Sequence, residues 1–127
     1  MHKQLIISGA VSAFITVALG AFAAHGLKNS LTPYALDIWT TAVNYQMFHS
    51  LGLLLIALLG NALSVNLHKP GNIMLAGIVL FSGSLYALAL SGIKPLGMIT
   101  PLGGSCFLVA WMWLAIAVGK SKAGNTP

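Results

Sequence analysis

Acidic residues are almost missing from this chain: Asp37 is the one carboxylate side chain in 127 residues, and there is no glutamate. Paired-carboxylate acid–base chemistry needs two such groups and is excluded. Arginine is also absent, so all six cationic residues are lysines. The single cysteine, Cys106, allows neither an intramolecular disulfide nor a cysteine-based zinc site. No glycine-rich loop leads into a Lys-Ser or Lys-Thr pair, which removes the phosphate-cradling nucleotide motif. Ser105, Cys106 and the serines of 72–91 have no base beside them to activate a nucleophile. No enzymatic reaction is expected. Charged residues make up 6% of the chain, against roughly 25% in soluble domains, and so a water-soluble globule is excluded as well.

What is present is hydrocarbon: 57% of the residues are hydrophobic, and the mean hydropathy is +0.90. A bilayer crossing takes about 20 apolar residues, so four crossings use about 80 positions and leave short loops. The apolar runs predict spans of about 4–24, 40–63, 72–91 and 101–119 in one transmembrane domain covering 1–127, an all-α four-helix bundle. Gly26 and Lys28 offer a C-cap and an interfacial charge for the first span. The second helix is predicted to start at Thr32-Pro33, with threonine capping free amides and proline in the first turn. Its first turns, with Asp37, Trp39, Thr41 and Asn44, belong in the interface. Gly83, Ala87 and Ser91 at spacing four, and Gly103-Gly104, are candidate positions for close helix approach. Trp111 and Trp113 suit packing and interfacial anchoring.

Gly-x-Lys followed by Thr-Pro occurs after the first span (Gly26, Lys28, Thr32, Pro33) and after the third (Gly92, Lys94, Thr100, Pro101). Two readings stay open: two duplicated helical hairpins, or the same stop and start chemistry used twice. His2-Lys3, an apolar stretch and Ala-Phe-Ala at 21–23 imitate a cleavable signal, but a run of 20 residues followed by more apolar spans is expected to be retained. Lys3, Lys69, Lys120 and Lys122 fall on one side of a four-span topology, and Lys28 and Lys94 on the other. The positive-inside rule then places both termini in the cytoplasm. Lysines scattered one per loop do not make a nucleic-acid surface, and no nucleic-acid partner is expected.

Polar groups within spans are costly and therefore candidate functional positions. Here they are His25, Asp37, Asn44, Tyr45, Gln46 and His49. Asp37, Thr41 and Asn44 share a helix face, and Tyr45 leads to His49 a turn deeper. If the second helix leaves the membrane near Leu63, His49 lies about 9 Å inside the outer boundary, His25 lies at it, and Tyr45 is within reach of His25. The expected bond pattern is therefore His25 with Asn44 or Tyr45, and Asp37, tying helix one to helix two. The alternative is metal, haem or quinone binding near the outer interface by His25, Tyr45 and His49, although their depths do not match well. His2 and His68 are expected to be solvated. A small multidrug exporter is disfavoured by the absence of glutamate.

Four blocks now point to a family: Gly-Ala-Phe-Ala-Ala-His-Gly-Leu at 20–27, Thr-Ala-Val-Asn-Tyr-Gln-Met-Phe-His at 41–49, Phe-Ser-Gly-Ser-Leu-Tyr at 81–86 and Ile-Thr-Pro-Leu-Gly-Gly at 99–104. Together they resemble the bacterial family called domain of unknown function 423, the YgdD-like small inner-membrane proteins. Ala23 and Phe48 depart from the pattern expected for that family. The resemblance implies a multi-span protein of the bacterial cytoplasmic membrane with no established activity, in which His25, Tyr45, Gln46 and His49 belong to recurring motifs. The expected role is that of a structural, accessory or interaction subunit without metal or other cofactor. Its partners are the lipid bilayer and other membrane proteins or further copies of itself. A small-solute transporter is a weaker alternative.

Overall fold

In the computed structural model, which describes residues 2–122, four helices run antiparallel in sequence: α1 (Lys3–Phe22), α2 (Pro33–Leu63), α3 (His68–Ser91) and α4 (Thr100–Lys120). A π-helical turn, Ala23–Leu27, extends α1, and a 3₁₀ turn, Lys94–Met98, precedes α4. All four helices are long and apolar enough to cross a membrane. The molecule is thus an all-α, multi-span membrane bundle, as the composition required.

Neighbours in sequence are neighbours in space: α1 packs on α2, α2 on α3 and α3 on α4. α2 and α3 form the middle of the bundle, while α1 and α4 flank it with no substantial packing on each other. One apolar cluster, including Leu5, Leu53, Ile56, Met74, Ile78 and Phe107, fills the half near the α2–α3 loop. A smaller one, built on Leu27, Trp39 and Ala89, fills the opposite end. Most of the outward surface is aliphatic or aromatic, for example Phe14, Val17, Phe48, Val79 and Leu108. A bilayer solvates such a surface, and water does not.

The helix ends correct several expectations. Gly26 does not cap α1; it sits inside the π turn with Cβ space occupied by the Phe22 ring. Gly92, by contrast, takes the left-handed conformation (φ 70°) and closes α3 through its N–H to Leu88 O. Thr32 caps α2, its hydroxyl accepting from Ala35 N at 3.1 Å. Thr100 does not cap α4, because its hydroxyl is 2.7 Å from Ser84 Oγ on α3. The two Gly-x-Lys…Thr-Pro linkers therefore share letters and not local structure. α3 begins at His68, four residues before the expected Asn72, since Pro70 is tolerated in a first turn whose amides lack intrahelical partners.

The predicted packing stripe on α3 also needs correction. Gly83 faces open space and Ser91 is exposed; only Ala87 is half-buried. α3 and α4 meet instead at Gly103, where an added Cβ would fall within 2.7 Å of Phe81 Cα, and at Gly77, which abuts Phe107 and Cys106. Gly104 lies beside the Phe81 ring at 3.8 Å. A spacing of four marks one stripe on a helix and does not say which stripe faces a neighbour.

Candidate functional site

Gln46 is the hub of a buried junction joining three helices. Its Nε2 donates to both the carbonyl oxygen and the hydroxyl of Ser12 on α1, each at 3.3 Å, and its Oε1 accepts from the Tyr86 hydroxyl on α3 at 2.6 Å. One turn along α2, Ser50 Oγ sits 2.6 Å from Ser12 Oγ and 2.6 Å from the Gln46 carbonyl oxygen. Ser82 Oγ donates to Ala42 O at 2.8 Å, and Thr16 Oγ to Ser12 O at 2.7 Å. Towards the α1–α2 loop, Trp39 Nε1 donates to Leu19 O at 3.0 Å, and its ring lies edge-on to Phe22 and Tyr86. Small serines at 12, 50 and 82 let the backbones approach, and their hydroxyls then find partners across the interface.

His49 forms a second centre, between α2 and α4. Its ring lies flat on Phe107, with centroids 3.5 Å apart and planes 6° from parallel. Trp111 Nε1 lies 3.1 Å from His49 Nε2, and His49 Nδ1 lies 2.8 Å from Tyr45 O. An indole N–H can only donate, so Nε2 accepts; the ring proton sits on Nδ1 and is donated to the Tyr45 carbonyl. Both nitrogens are thereby engaged in the neutral imidazole. The Tyr45 ring meets Phe81 at a centroid distance of 4.4 Å, with the planes tilted by 32°. Two open grooves adjoin this centre: one of about 320 Å³ lined by Asn44, Tyr45, Phe48 and His49, and one of about 420 Å³ that includes Phe81, Gly104, Phe107 and Trp111.

Of the remaining predicted positions, Asn44 lines the first of these grooves, and His25 and Asp37 lie apart. His25 is exposed on the π turn, and Asp37 and Asn44 are exposed on α2. Among the described residues, none of these three side chains makes a hydrogen bond. The register explains this: the Ser12–Ser50 and Gly20–Val43 contacts place residues whose numbers sum to 62 or 63 at one level, so His25 lies opposite Asp37 rather than Tyr45. His49 is thus opposite the middle of α1, several turns from His25. The expected ties between α1 and α2 through His25, Asp37, Asn44 and Tyr45 are replaced by Ser12, Gln46, Ser50 and Trp39. Among the described residues, no group of three histidine, cysteine or acidic side chains is placed to hold a metal.

The largest departure is at the N-terminus. His2, expected in solvent, is fully buried where α1, the end of α2 and the start of α3 meet. Its Nε2 accepts from Leu67 N at 2.9 Å, its Nδ1 is 2.9 Å from Asn61 Oδ1, and its ring stacks on His68 at 4.4 Å. Gly60 leaves room for the ring. No side-chain pattern at the terminus announces this; the nearest signal is the pair Gly60-Asn61 at the end of an apolar helix.

The chain matches the family described as a protein of unknown function (DUF423) over residues 19–104. It is 48% identical to a UPF0382 membrane protein of Staphylococcus saprophyticus over 93% of this chain and 98% of that protein. It is 47% identical to the UPF0382 membrane protein YwdK of Bacillus subtilis, again over 93% and 98% of the two chains. A UPF0382 membrane protein of Staphylococcus aureus is 46% identical over 93% of this chain and 97% of its own length. No solved structure matches.

Proposed function

The chain belongs to the DUF423 family of uncharacterised membrane proteins, and from that premise we propose that it is a non-catalytic structural or accessory subunit of the bacterial cytoplasmic membrane, with both termini in the cytoplasm. One observation carries this reading: among the described residues, every buried side-chain nitrogen and oxygen already has a hydrogen-bond partner. A ligand or proton site keeps polar groups available for its cargo, whereas here Gln46 and both nitrogens of His49 are spent on neighbouring helices. A bundle closed in this way offers its surface rather than its interior. The orientation rests on charge, since Lys3, Lys69, Lys120 and Lys122 gather at one end and Lys28 and Lys94 at the other.

The test is metal analysis and an absorption spectrum on protein purified in mild detergent, wild type beside His49→Ala. The expected outcome is no stoichiometric metal or chromophore in either, with His49→Ala unfolding at lower temperature because it strands the Trp111 N–H and opens a void against Phe107. Stoichiometric metal or a haem band that His49→Ala removes would overturn the reading.

A further inference from the structure

At the end of the bundle away from His2, the α1–α2 loop, the start of α2, the end of α3 and the 3₁₀ turn before α4 enclose an open groove of about 610 Å³. Its lining changes character along the helices. Thr32 and Lys94 lie in the connections between the long helices, and Tyr34 lies in the first turn of α2. Ile38 and Leu88 lie further in, about 8 Å along α2 from Pro33 and about 5 Å along α3 from Ser91. Connections between spans belong at the bilayer surface, because hydrocarbon leaves irregular backbone unsatisfied. The polar mouth therefore sits at the headgroup level, and the apolar floor runs from it towards the acyl chains.

The mouth holds donors without an anion. Among the described residues, neither the Lys94 ammonium nor the Tyr34 hydroxyl has a hydrogen-bonding or ionic partner. The Thr32 hydroxyl accepts from Ala35 N, which leaves its own hydrogen to donate. Asp37, the one carboxylate side chain in the sequence, does not line the groove. No anionic side chain is therefore present to pair with a choline or ethanolamine ammonium, whereas a phosphate of net negative charge meets a cation and two hydroxyls. We propose that this groove is a binding site for an anionic phospholipid, its phosphate against Lys94, Thr32 and Tyr34 and the start of its chains against Ile38 and Leu88. A free phosphate would use the mouth alone; a lipid uses the mouth and the floor together.

Native mass spectrometry of the delipidated full-length protein in mild detergent tests it, with phosphatidylglycerol, phosphatidylcholine and inorganic phosphate as separate probes. One phosphatidylglycerol per chain is expected to bind at concentrations where phosphatidylcholine does not. Lys94→Gln should weaken that binding roughly fivefold, the usual contribution of a lysine near a membrane surface, and Lys94→Arg should retain most of it. Lys28→Gln removes the same charge from the same end of the bundle without touching the groove, and is expected to change binding less than twofold. Lys94 is exposed and makes no bond within the bundle, so the lipid-free unfolding midpoint of Lys94→Gln should match wild type, which separates loss of binding from loss of fold. An equal loss in Lys28→Gln would reduce the effect to diffuse charge and overturn the proposal. Equal binding of phosphatidylcholine, full competition by inorganic phosphate, or no stoichiometric lipid would overturn it as well. The accessory reading above neither requires this site nor falls with it.

Discussion

His2 shows how much a single polar residue can do at the end of a bundle. An imidazole accepting from the Leu67 N–H carries its proton on the other nitrogen, so one neutral tautomer joins α1 to both the end of α2 and the α2–α3 loop. Removing the ring leaves a buried amide without an acceptor and a void beside Gly60 and His68. His2→Ala is therefore expected to destabilise the bundle by about 1–3 kcal/mol, measured as a lower midpoint of unfolding in detergent. In sequence, His2 looked like any histidine in a polar tail. Its burial follows from the register of α1 on α2, which pairs position 2 with Gly60, and no local pattern encodes that register. The same reasoning separates His25 from His49: both belong to the motifs of the resemblance, yet one lies exposed on a π turn and the other under Trp111.

At the scale of the element, start and stop signals each carried over in part: Thr32 and Gly92 act as caps, while Thr100 and Gly26 do not. Thr32-Pro33 begins α2 as expected, since a cap hydroxyl and a proline act within one turn. Thr32→Ala should cost about 1 kcal/mol, read as earlier thermal unfolding, while Thr32→Ser should restore most of the loss. Gly26 was the natural stop for α1, but the helix accommodates an extra residue in a π turn and runs on to Leu27. The α3–α4 contact depends on Gly103, where a methyl group would press on the backbone at Phe81 rather than on a movable side chain. Gly103→Ala should therefore destabilise by about 1–3 kcal/mol. Gly83→Ala, facing open space, is expected to match or exceed wild-type stability because alanine favours the helix. The same melting assay on the two variants decides which glycine packs.

For the whole molecule, the unit of stability is the three-helix junction at Gln46. Gln46 joins Ser50, Trp39 and Asn61 in bonding α2 to the α1 side, and Tyr86 ties α3 to the same carboxamide. A double-mutant cycle of Gln46→Leu and Tyr86→Phe should give a coupling of about 0.5–2 kcal/mol. Trp39 provides the readout, because its indole lies between Phe22 and Tyr86 and bonds α1 directly. Its fluorescence should respond to Gln46→Leu and stay unchanged in Asn44→Leu, since Asn44 lies on the opposite, outward face. A Trp39 signal insensitive to Gln46→Leu would mean that the junction is not shared by the three helices.

Composition and hydropathy by themselves determined that the chain is a four-span membrane bundle, because burying backbone polar groups in hydrocarbon leaves helices as the economical solution for apolar runs of this length. They also singled out six polar positions as candidates, of which Gln46 and His49 are buried and engaged, while His25, Asp37, Asn44 and Tyr45 are exposed. Only the tertiary structure decided the partners. Ser12, Ser50 and Tyr86 were inconspicuous in sequence, because a serine is tolerated anywhere in a membrane helix and becomes a contact only once two helices are set in register. That register comes from many weak side-chain contacts summed along interfaces, with no single residue or spacing to announce it.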